Sequence, residues 1–378
     1  MNVLVVAPSI PTKEEPLNGV FAFDQALALS GHGIAVKVAA VDLRSIRHKR
    51  KWGLEYYKKN GIECAIYNFP LGAVPIKMQV LVGQVLLKKV YRCLYHDGTF
   101  PDVVHAHFTE IGAMAVTVCK ENELPLILTE HSSAITEPVI REGIRKCALY
   151  VYPRCKKVIA VSKALAKRIY EISNVDATVI HNIVDTSVFN YIGKKDLGSK
   201  YKFVTVGSLI EVKNHMMLID ALAKVYESDK EVMLDIVGEG PLHSFLQKRI
   251  QEKGLGNVVR LLGFKNRDEI KDIYNQADCF VLPSRLETFG VVSIEAMAAG
   301  LPVIATRCGG PEEYVNEITG MLVENSVEQL AAGMISMKKK RGIFDMNKIS
   351  QFAHEMFSDE NISGQVYEVY RNCLEMDI

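Results

Sequence analysis

Asp278-Cys279-Phe280-Val281-Leu282-Pro283-Ser284-Arg285-Leu286-Glu287-Thr288-Phe289-Gly290-Val291-Val292-Ser293-Ile294-Glu295-Ala296-Met297-Ala298-Ala299-Gly300-Leu301-Pro302 reads as a strand, a loop and a helix in succession. The apolar run 278–283 is the strand, Gly290 opens the helix and Gly300 closes it. A helix so small-residued and apolar belongs in a protein interior. Its first N–H groups, around Thr288, Phe289, Gly290 and Val291, lack intrahelical acceptors and form a ready anion site, suited to a phosphate. Glu295, one turn in, is then a buried carboxylate beside that site. Ribose hydroxyls are the economical reason to tolerate its desolvation. Glu287, on the loop, is placed to reach a group beyond the phosphates.

Working outward, short β-branched runs recur at 2–7, 34–41, 62–67, 102–107, 125–130, 156–161 and 177–181, then at 201–206, 232–237, 258–262, 279–282, 302–306 and 320–323. Helical patterns separate them. Continuous rather than alternating apolarity marks strands covered on both faces, hence parallel sheets wrapped by helices. A chain of 378 residues exceeds one ordinary core, so two doubly wound α/β domains are expected. The polar stretch 185–196 breaks the alternation and serves as linker. The expected division is residues 1–185, residues 186–360 and a closing helix within 361–378; that helix patterns over 360–374 with Ile362, Val366, Val369 and Tyr370 on one stripe. Ligands of such sheets bind at the carboxyl ends of strands, where Pro8, His107, His131, Ser162, Asn182, Gly207, Gly238, Gly263, Ser284 and Arg307 fall.

The net charge of +1 gives no global field for nucleic acid. Eight cysteines without a C-x-x-C pair, several inside strand-like runs, point to reduced thiols in a cytoplasmic protein. The N-terminus enters a strand directly without a basic region, so no signal peptide is expected, and no uncharged apolar stretch reaches the roughly 20 residues that span a bilayer.

The Glu287/Glu295 pair closely resembles the E-x7-E signature of retaining, nucleotide-sugar-dependent glycosyltransferases of family 4, which have the two-domain GT-B fold. The resemblance extends to Val206-Gly207-Ser208-Leu209-Ile210-Glu211-Val212-Lys213-Asn214, Ile236-Val237-Gly238-Glu239-Gly240-Pro241-Leu242 and Thr306-Arg307-Cys308-Gly309-Gly310-Pro311-Glu312-Glu313, and covers nearly the whole chain. It is specific in the C-terminal half and looser in the N-terminal half, which the resemblance assigns to a varying acceptor. It implies that the C-terminal domain binds the donor, that the domains face a central cleft, and that the last helix crosses back onto the N-terminal domain. Glu287 would contact donor sugar hydroxyls, Glu295 the ribose, and His131 the transferred sugar; Gly238 and Gly240 would line the nucleotide pocket and the backbone near Gly263 and Phe264 would meet the base.

Each residue also has a plainer reading. A lone pair of glutamates at this spacing is usually solvated, and only the flanking buried helix and glycine motifs reverse that. Gly207 ends a strand and Lys213 stands beside another helix start, a usual way to hold a diphosphate, although an ordinary loop would look similar. Family members often carry Arg after that glycine, where this chain has Ser208, which leaves Lys213 more of the charge or recruits Arg285 or Arg307. Gly238-Glu239-Gly240 lacks the third glycine of a dinucleotide fingerprint. His105 and His107 share one strand face, where zinc is conceivable but no third ligand is signalled. Asn18-Gly19-Val20-Phe21 matches the family's glycine loop at the cleft, and Gly19 and His107 are the candidate acceptor-side residues. Arg44, Arg47, Lys49, Arg50 and Lys51 next to Trp52, with the apolar stretch Met78 to Tyr91 bearing Lys88 and Lys89, fit a peripheral face at the inner side of the cytoplasmic membrane.

The expectation is therefore a retaining hexosyltransferase that moves a sugar from a UDP- or GDP-linked donor to an acceptor hydroxyl in surface-polysaccharide or glycolipid assembly. Glu287, His131 and Lys213 form its catalytic set. No D-x-D occurs, so no metal cofactor is expected; the nucleotide sugar is a co-substrate and helix N-termini and cations neutralise the leaving diphosphate. The rivals are an epimerase of the same fold, which lacks an evident acid/base set here, and a non-catalytic sugar-nucleotide-binding subunit, which should have lost Glu287 or Lys213.

Overall fold

Apolar runs flanked by turn residues become strands, covered on both faces in the middle of each sheet, in the computed structural model, which describes residues 1–48, 50–193 and 198–375. Lys49 of the basic cluster, Lys194, Lys195 and Asp196 of the expected linker, and residues 376–378 of the expected closing segment lie outside the described residues. The chain divides into one unit of residues 1–183 and 359–378 and a second of residues 184–358. The break thus falls two residues before the expected linker boundary.

The first unit contains β1 (Asn2–Ala7), α1 (Val20–Gly31), β2 (Ala35–Asp42), β3 (Gly53–Lys59), β4 (Ile62–Asn68), α2 (Ile76–Leu94), β5 (Val103–His107), α3 (Thr109–Glu121), β6 (Leu126–Glu130), α4 (Ser133–Thr136), α5 (Glu142–Val151), β7 (Lys157–Ala160), α6 (Lys163–Ser173) and β8 (Ala177–Val179). Its sheet runs β3-β4-β2-β1-β5-β6-β7-β8 and is parallel except at β3, which pairs antiparallel with β4. That strand is missing from the sequence expectation. Leu54-Glu55-Tyr56-Tyr57-Lys58-Lys59 alternates between exposed and half-covered because it is an edge, and edges need no continuous apolar run. The available signal was Asn60-Gly61, both at positive φ (48° and 84°), the residue pair of a two-residue hairpin.

The second unit contains β9 (Tyr201–Val206), α7 (His215–Ser228), β10 (Val232–Val237), α8 (His243–Glu252), β11 (Val259–Leu261), α9 (Arg267–Tyr274), β12 (Cys279–Leu282), α10 (Val291–Ala298), β13 (Val303–Thr306), β14 (Gly320–Val323), α11 (Val327–Lys339) and α12 (Met346–Phe357). Its all-parallel sheet runs β11-β10-β9-β12-β13-β14. The strand order reverses between β1 and β5 in the first unit and between β9 and β12 in the second. Ligand crevices of open α/β sheets lie at such reversals, outside the carboxyl ends.

The closing helix α13 (Asp359–Glu375) belongs to the first unit. Ile362, Val366, Tyr370 and Cys373 join one core with Val3, Val5, Phe23 and Val38. The stripe read from sequence is thus the buried face, with Val369 partly covered.

The basic cluster is not a free field. Arg44 bonds buried Asp42 (Nη2–Oδ2 2.6 Å) and Glu15 (Nη2–Oε2 2.5 Å), Arg50 lies 3.2 Å from Asp42, and Lys51 reaches Glu55 at 3.7 Å. Arg44 holds the Glu15 carboxyl down at about 2. On α2, by contrast, Met78, Leu81 and Val85 are more than half exposed at helical spacing. No helix among the described residues is long and apolar enough to cross a membrane.

Candidate functional site

At the β9/β12 reversal, the loop after β9 tightens into a 3-10 turn over Glu211–Lys213 and enters α7 through Asn214, held left-handed at φ 55°. The loop after β12 meets it through a backbone bond from Arg285 N to Val212 O (2.8 Å). That bond brings together residues 74 apart: Lys213 Nζ stands 2.5 Å from Glu287 Oε1. Ser284 Oγ also donates to Oε1 (2.8 Å), and Glu287 is backbone-paired to the loop after β13, by its N to Cys308 O (2.8 Å) and its O to Gly310 N (3.0 Å). Glu287 is 7% exposed, so this is a nearly buried carboxylate with a cation, a hydroxyl and fixed backbone geometry. One oxygen, Oε1, takes both partners, which leaves Oε2 for a further donor.

Glu287 leads directly into α10. Gly290 caps it at φ 89°, where a Cβ would come within 2.7 Å of Tyr314 Oη. Tyr314 Oη donates to Phe289 O (2.8 Å) and meets Ser293 Oγ (2.5 Å), so a buried phenol sets the entry of the helix. Residues Ser293 to Ala298 are buried, and Glu295 with them at 9% exposure. Phe289 is core: its ring packs on Tyr314 and Phe357, so only its backbone is available to a ligand, whereas Phe264 is 43% exposed.

The neighbouring turns form the other side. Gly207 N bonds Val237 O, Gly238 N bonds Gly263 O, and Leu209 N bonds Glu239 O. A Cβ on Gly238 (φ 138°) would lie 2.0 Å from Gly207 O, and one on Gly240 (φ 159°) 2.5 Å from Leu209 O. These glycines are required by close backbone approach. Ser208 is exposed and Arg307 pairs with Glu324 at 3.1 Å. The strand ends thus gather Gly207, Lys213, Gly238, Gly240, Phe264, Glu287, Thr288 to Val291 and Glu295. The sequence reading overlooked His215, buried at the start of α7 with Nδ1 unpartnered and its pKa pushed down to about 4 by burial and Lys213.

In the first unit, Gly19 sits at φ 80° against Ser9 O at the β1 end, and His107 closes β5. Phe108 follows at φ 73°, ψ 145°, a strained conformation for a side-chain-bearing residue. His107 Nδ1 lies 2.9 Å from His131 Nε2, and the rings of Phe21 and His107 stack on that of His131 at 5.8 and 5.2 Å. His105 is fully bonded, through Nδ1 to Tyr370 Oη (2.6 Å) and Nε2 to Thr129 Oγ1 (2.7 Å). With both nitrogens bonded, His105 is no metal ligand. Among the described residues no three His, Cys, Asp or Glu side chains gather as a metal site. Burial pushes His105 down to about 3, His131 to about 4 and His107 well below the usual imidazole value.

Glu130, next to His131, also escaped the sequence reading. Its carboxylate accepts from Thr109 Oγ1, Tyr152 Oη (2.9 Å), His131 N (3.0 Å) and Ser132 N (2.8 Å), and burial raises it to about 7. Its position after an apolar run, Leu126-Ile127-Leu128, was the signal that it would be covered.

Residues 19–188 match the family model described as Glycosyltransferase Family 4, and residues 190–356 match that described as Glycosyl transferases group 1. The chain is 25% identical to the putative teichuronic acid biosynthesis glycosyltransferase TuaC of Bacillus subtilis, over 97% of this chain and 93% of that protein. In fold it is similar to sucrose-phosphate synthase from Thermosynechococcus elongatus (TM-score 0.81, 18% identity, all of both chains). It is likewise similar to Anabaena HepE in complex with UDP and glucose (TM-score 0.74, 19% identity, 98% of this chain and 100% of that one).

Proposed function

On the premise that this chain belongs to the family 4 glycosyltransferases of GT-B fold, we propose that it is a retaining hexosyltransferase using a UDP- or GDP-linked sugar. The observation that carries this reading is the Lys213–Glu287 pair at the β9/β12 reversal, next to the N-terminus of buried α10 with Glu295 one turn in. A diphosphate arriving there meets the α10 N–H groups and Lys213. Lys213 then exchanges one anionic partner for another, and Glu287 is released to accept from sugar hydroxyls while Glu295 accepts from the ribose. In the first unit, Gly19 stands on the acceptor side, His131 donates to a substrate oxygen, and His107, wholly buried, reaches a substrate only through the His131 ring stacked on it. The retaining course is proposed as front-face attack, with the departing phosphate oxygen taking the acceptor proton.

The resemblance to a teichuronic acid enzyme supports an acceptor in surface-polysaccharide or glycolipid assembly. A lipid-linked acceptor would be met at the inner face of the cytoplasmic membrane. We place that contact on the exposed α2 stripe rather than on the Arg44–Lys51 cluster, where the Arg44 and Arg50 guanidinium groups are taken up by Asp42. The second-unit site is proposed to work without a metal, because a lysine and a helix N-terminus stand where the diphosphate charge develops.

A panel of UDP- and GDP-sugars, scored first by thermal shift and then by transfer to lipid-linked and free glycan acceptors, tests the reading. The product anomeric configuration, read by proton NMR coupling, should match the donor. Activity should survive a chelator; full loss restored by Mn²⁺ would overturn metal independence, and absence of both shift and transfer would overturn the donor assignment.

A further inference from the structure

Glu130 ends β6 after the apolar run Leu126-Ile127-Leu128 and has no exposed surface. The turn after the neighbouring β7 is closed by Ser162, whose hydroxyl accepts from Leu165 N (3.2 Å). At β6 the same place is taken by an acid, whose burial costs far more than that of a serine. Its partners explain the choice. Oε1 accepts from His131 N (3.0 Å) and Ser132 N (2.8 Å), and Oε2 contacts Thr109 Oγ1 and Tyr152 Oη (2.9 Å). One side chain thus ties the turn that carries His131 to the first residue of α3 and to Tyr152, which follows α5.

These partners also decide where its proton is. Thr109 Oγ1 and Tyr152 Oη lie 2.8 Å from each other, so with Oε2 they form a triangle of oxygens in which every pair is at hydrogen-bond distance. Three such contacts need three hydrogens. The two hydroxyls bring two and a carboxylate brings none, which would leave one pair of oxygens facing lone pair to lone pair among residues with no exposed surface. A carboxylic acid with its hydrogen on Oε2 closes the ring. Thr109 Oγ1 donates to Oε2, Oε2 donates to Tyr152 Oη, and Tyr152 Oη donates to Thr109 Oγ1, or all three run in the opposite sense. Each oxygen then gives once and accepts once, while Oε1, the carbonyl oxygen, takes two N–H groups with its two lone pairs. All four partners are neutral, so a carboxylate would have no counter-ion among them, and burial, which raises the group to about 7, acts in the same direction.

The ring holds two residues of the first-unit site. Thr109 follows Phe108, whose φ of 73° and ψ of 145° persist only where the surroundings enforce them. The Phe108 ring lies against His131 at 5.0 Å. Glu130 therefore sets the backbone of His131 and, through Thr109, the residue packed against its imidazole.

We propose that Glu130 is a neutral carboxylic acid and a positioning residue, which through its ring with Thr109 and Tyr152 holds the His131 turn and the Phe108 turn together at the carboxyl ends of β5 and β6. The catalytic use of His131 rests on the transferase reading; the proton on Glu130 does not. The infrared difference spectrum of wild type minus Glu130→Gln at pH 6 should show the carbonyl stretch of a protonated carboxyl group. Carboxylate bands in its place overturn the proposal whether or not transfer activity has been found. Glu130→Gln, whose amide also accepts at one end and donates at the other, should keep the His131 ring resonances, assigned with His131→Asn, and hold kcat within about threefold. Glu130→Ala and the shorter Glu130→Asp should shift those resonances and lower kcat about 10-fold or more, with the donor KM within about twofold. Folded Glu130→Ala or Glu130→Asp protein with unmoved His131 resonances overturns the positioning role, and moved resonances with unchanged kcat do so equally. A Glu130→Gln protein that is unfolded, or as slow as Glu130→Ala, overturns the neutral acid, since an uncharged isostere would then be no substitute. If Glu130→Ala does not fold, Glu130→Asp and the infrared band decide.

Discussion

Lys213 and Glu287 were each legible in the sequence as candidates, but their pairing was not. Nothing in two loops 74 residues apart announces a 2.5 Å contact; it follows from a backbone bond, Arg285 N to Val212 O, that no side chain encodes. The pairing changes what substitution should do. Lys213→Ala removes both the cation for the diphosphate and the partner of a 7% exposed carboxylate, and Ser208, exposed and neutral, cannot replace it. Turnover should fall roughly 10²-fold or more, as when a principal charge-stabilising donor is removed. Adding Ser208→Arg should soften that loss. Near-normal turnover of Lys213→Ala in steady-state assays would move the charge-stabilising role to Arg285 or the α10 N-terminus. Glu287→Gln should cut turnover while nucleoside diphosphate still binds in calorimetry, and Glu295→Gln should mainly weaken that binding. Equal, intact activity in both would remove the assigned roles. Phe289 divides its roles by atom: the sequence reading concerned its backbone N–H at the start of α10, while its ring belongs to the core with Tyr314 and Phe357.

At the scale of elements, the central strands were legible because both faces are covered, and continuous apolar runs mark that condition. β3 was not, since an edge with Lys58 and Lys59 carries no such run, and only its Asn60-Gly61 turn betrays it. The turns after β9 and β10 test how tightly the second-unit site is built. Gly238→Ala forces a Cβ to 2.0 Å from Gly207 O at a φ of 138°, so the two turns must separate. Strain of this kind costs about 1–3 kcal/mol, and the denaturation midpoint of the second unit should drop accordingly together with nucleotide affinity. A variant with wild-type midpoint and affinity would show that the turns are pliant. On α2, the exposed stripe Met78, Leu81 and Val85 carries the membrane proposal, with Lys77 and Lys89 exposed on the same helix. Binding to anionic vesicles should weaken as salt rises, each lysine contributing about 1 kcal/mol near the surface. Leu81→Glu should abolish it. Sedimentation with vesicles at low salt that recovers no protein would end the membrane reading.

At the scale of the whole molecule, the two units should differ in their response to acid, because their buried titratable groups differ. In the first unit, burial holds His105 at about 3 and His131 at about 4 and keeps His107 well below the ordinary 6.5 of an unfolded chain. Between those limits the unfolded chain takes up protons that the folded unit refuses, so the stability they contribute is full above pH 6.5 and is lost as pH falls. Glu130 acts in the opposite direction. Its folded value of about 7 exceeds the ordinary 4.5, so between pH 4.5 and 7 the folded unit holds a proton that the unfolded chain has released, and its contribution improves as pH falls. Three histidines against one glutamate leave a net uptake of two protons on unfolding in the window from pH 6.5 to 4.5. At about 1.4 kcal/mol per proton and pH unit, the first unit should lose up to about 3 kcal/mol per pH unit there, and the second unit, with His215 as its itself-buried histidine, about half as much. Trp52 is the only tryptophan in the chain and lies in the first unit, so its fluorescence reports that unit selectively during urea unfolding. The Trp52-detected midpoint should therefore fall steeply from pH 6.5 to 5 and stay level from 7.5 to 8.5. In Glu130→Gln the opposing contribution is gone, so the acid slope should steepen by about 1.4 kcal/mol per pH unit even though the variant is less stable throughout. A midpoint independent of pH between 5 and 6.5 would mean that the imidazole column protonates in the folded state, and the reading of His105, His107 and His131 as a neutral buried stack would lose its physical basis.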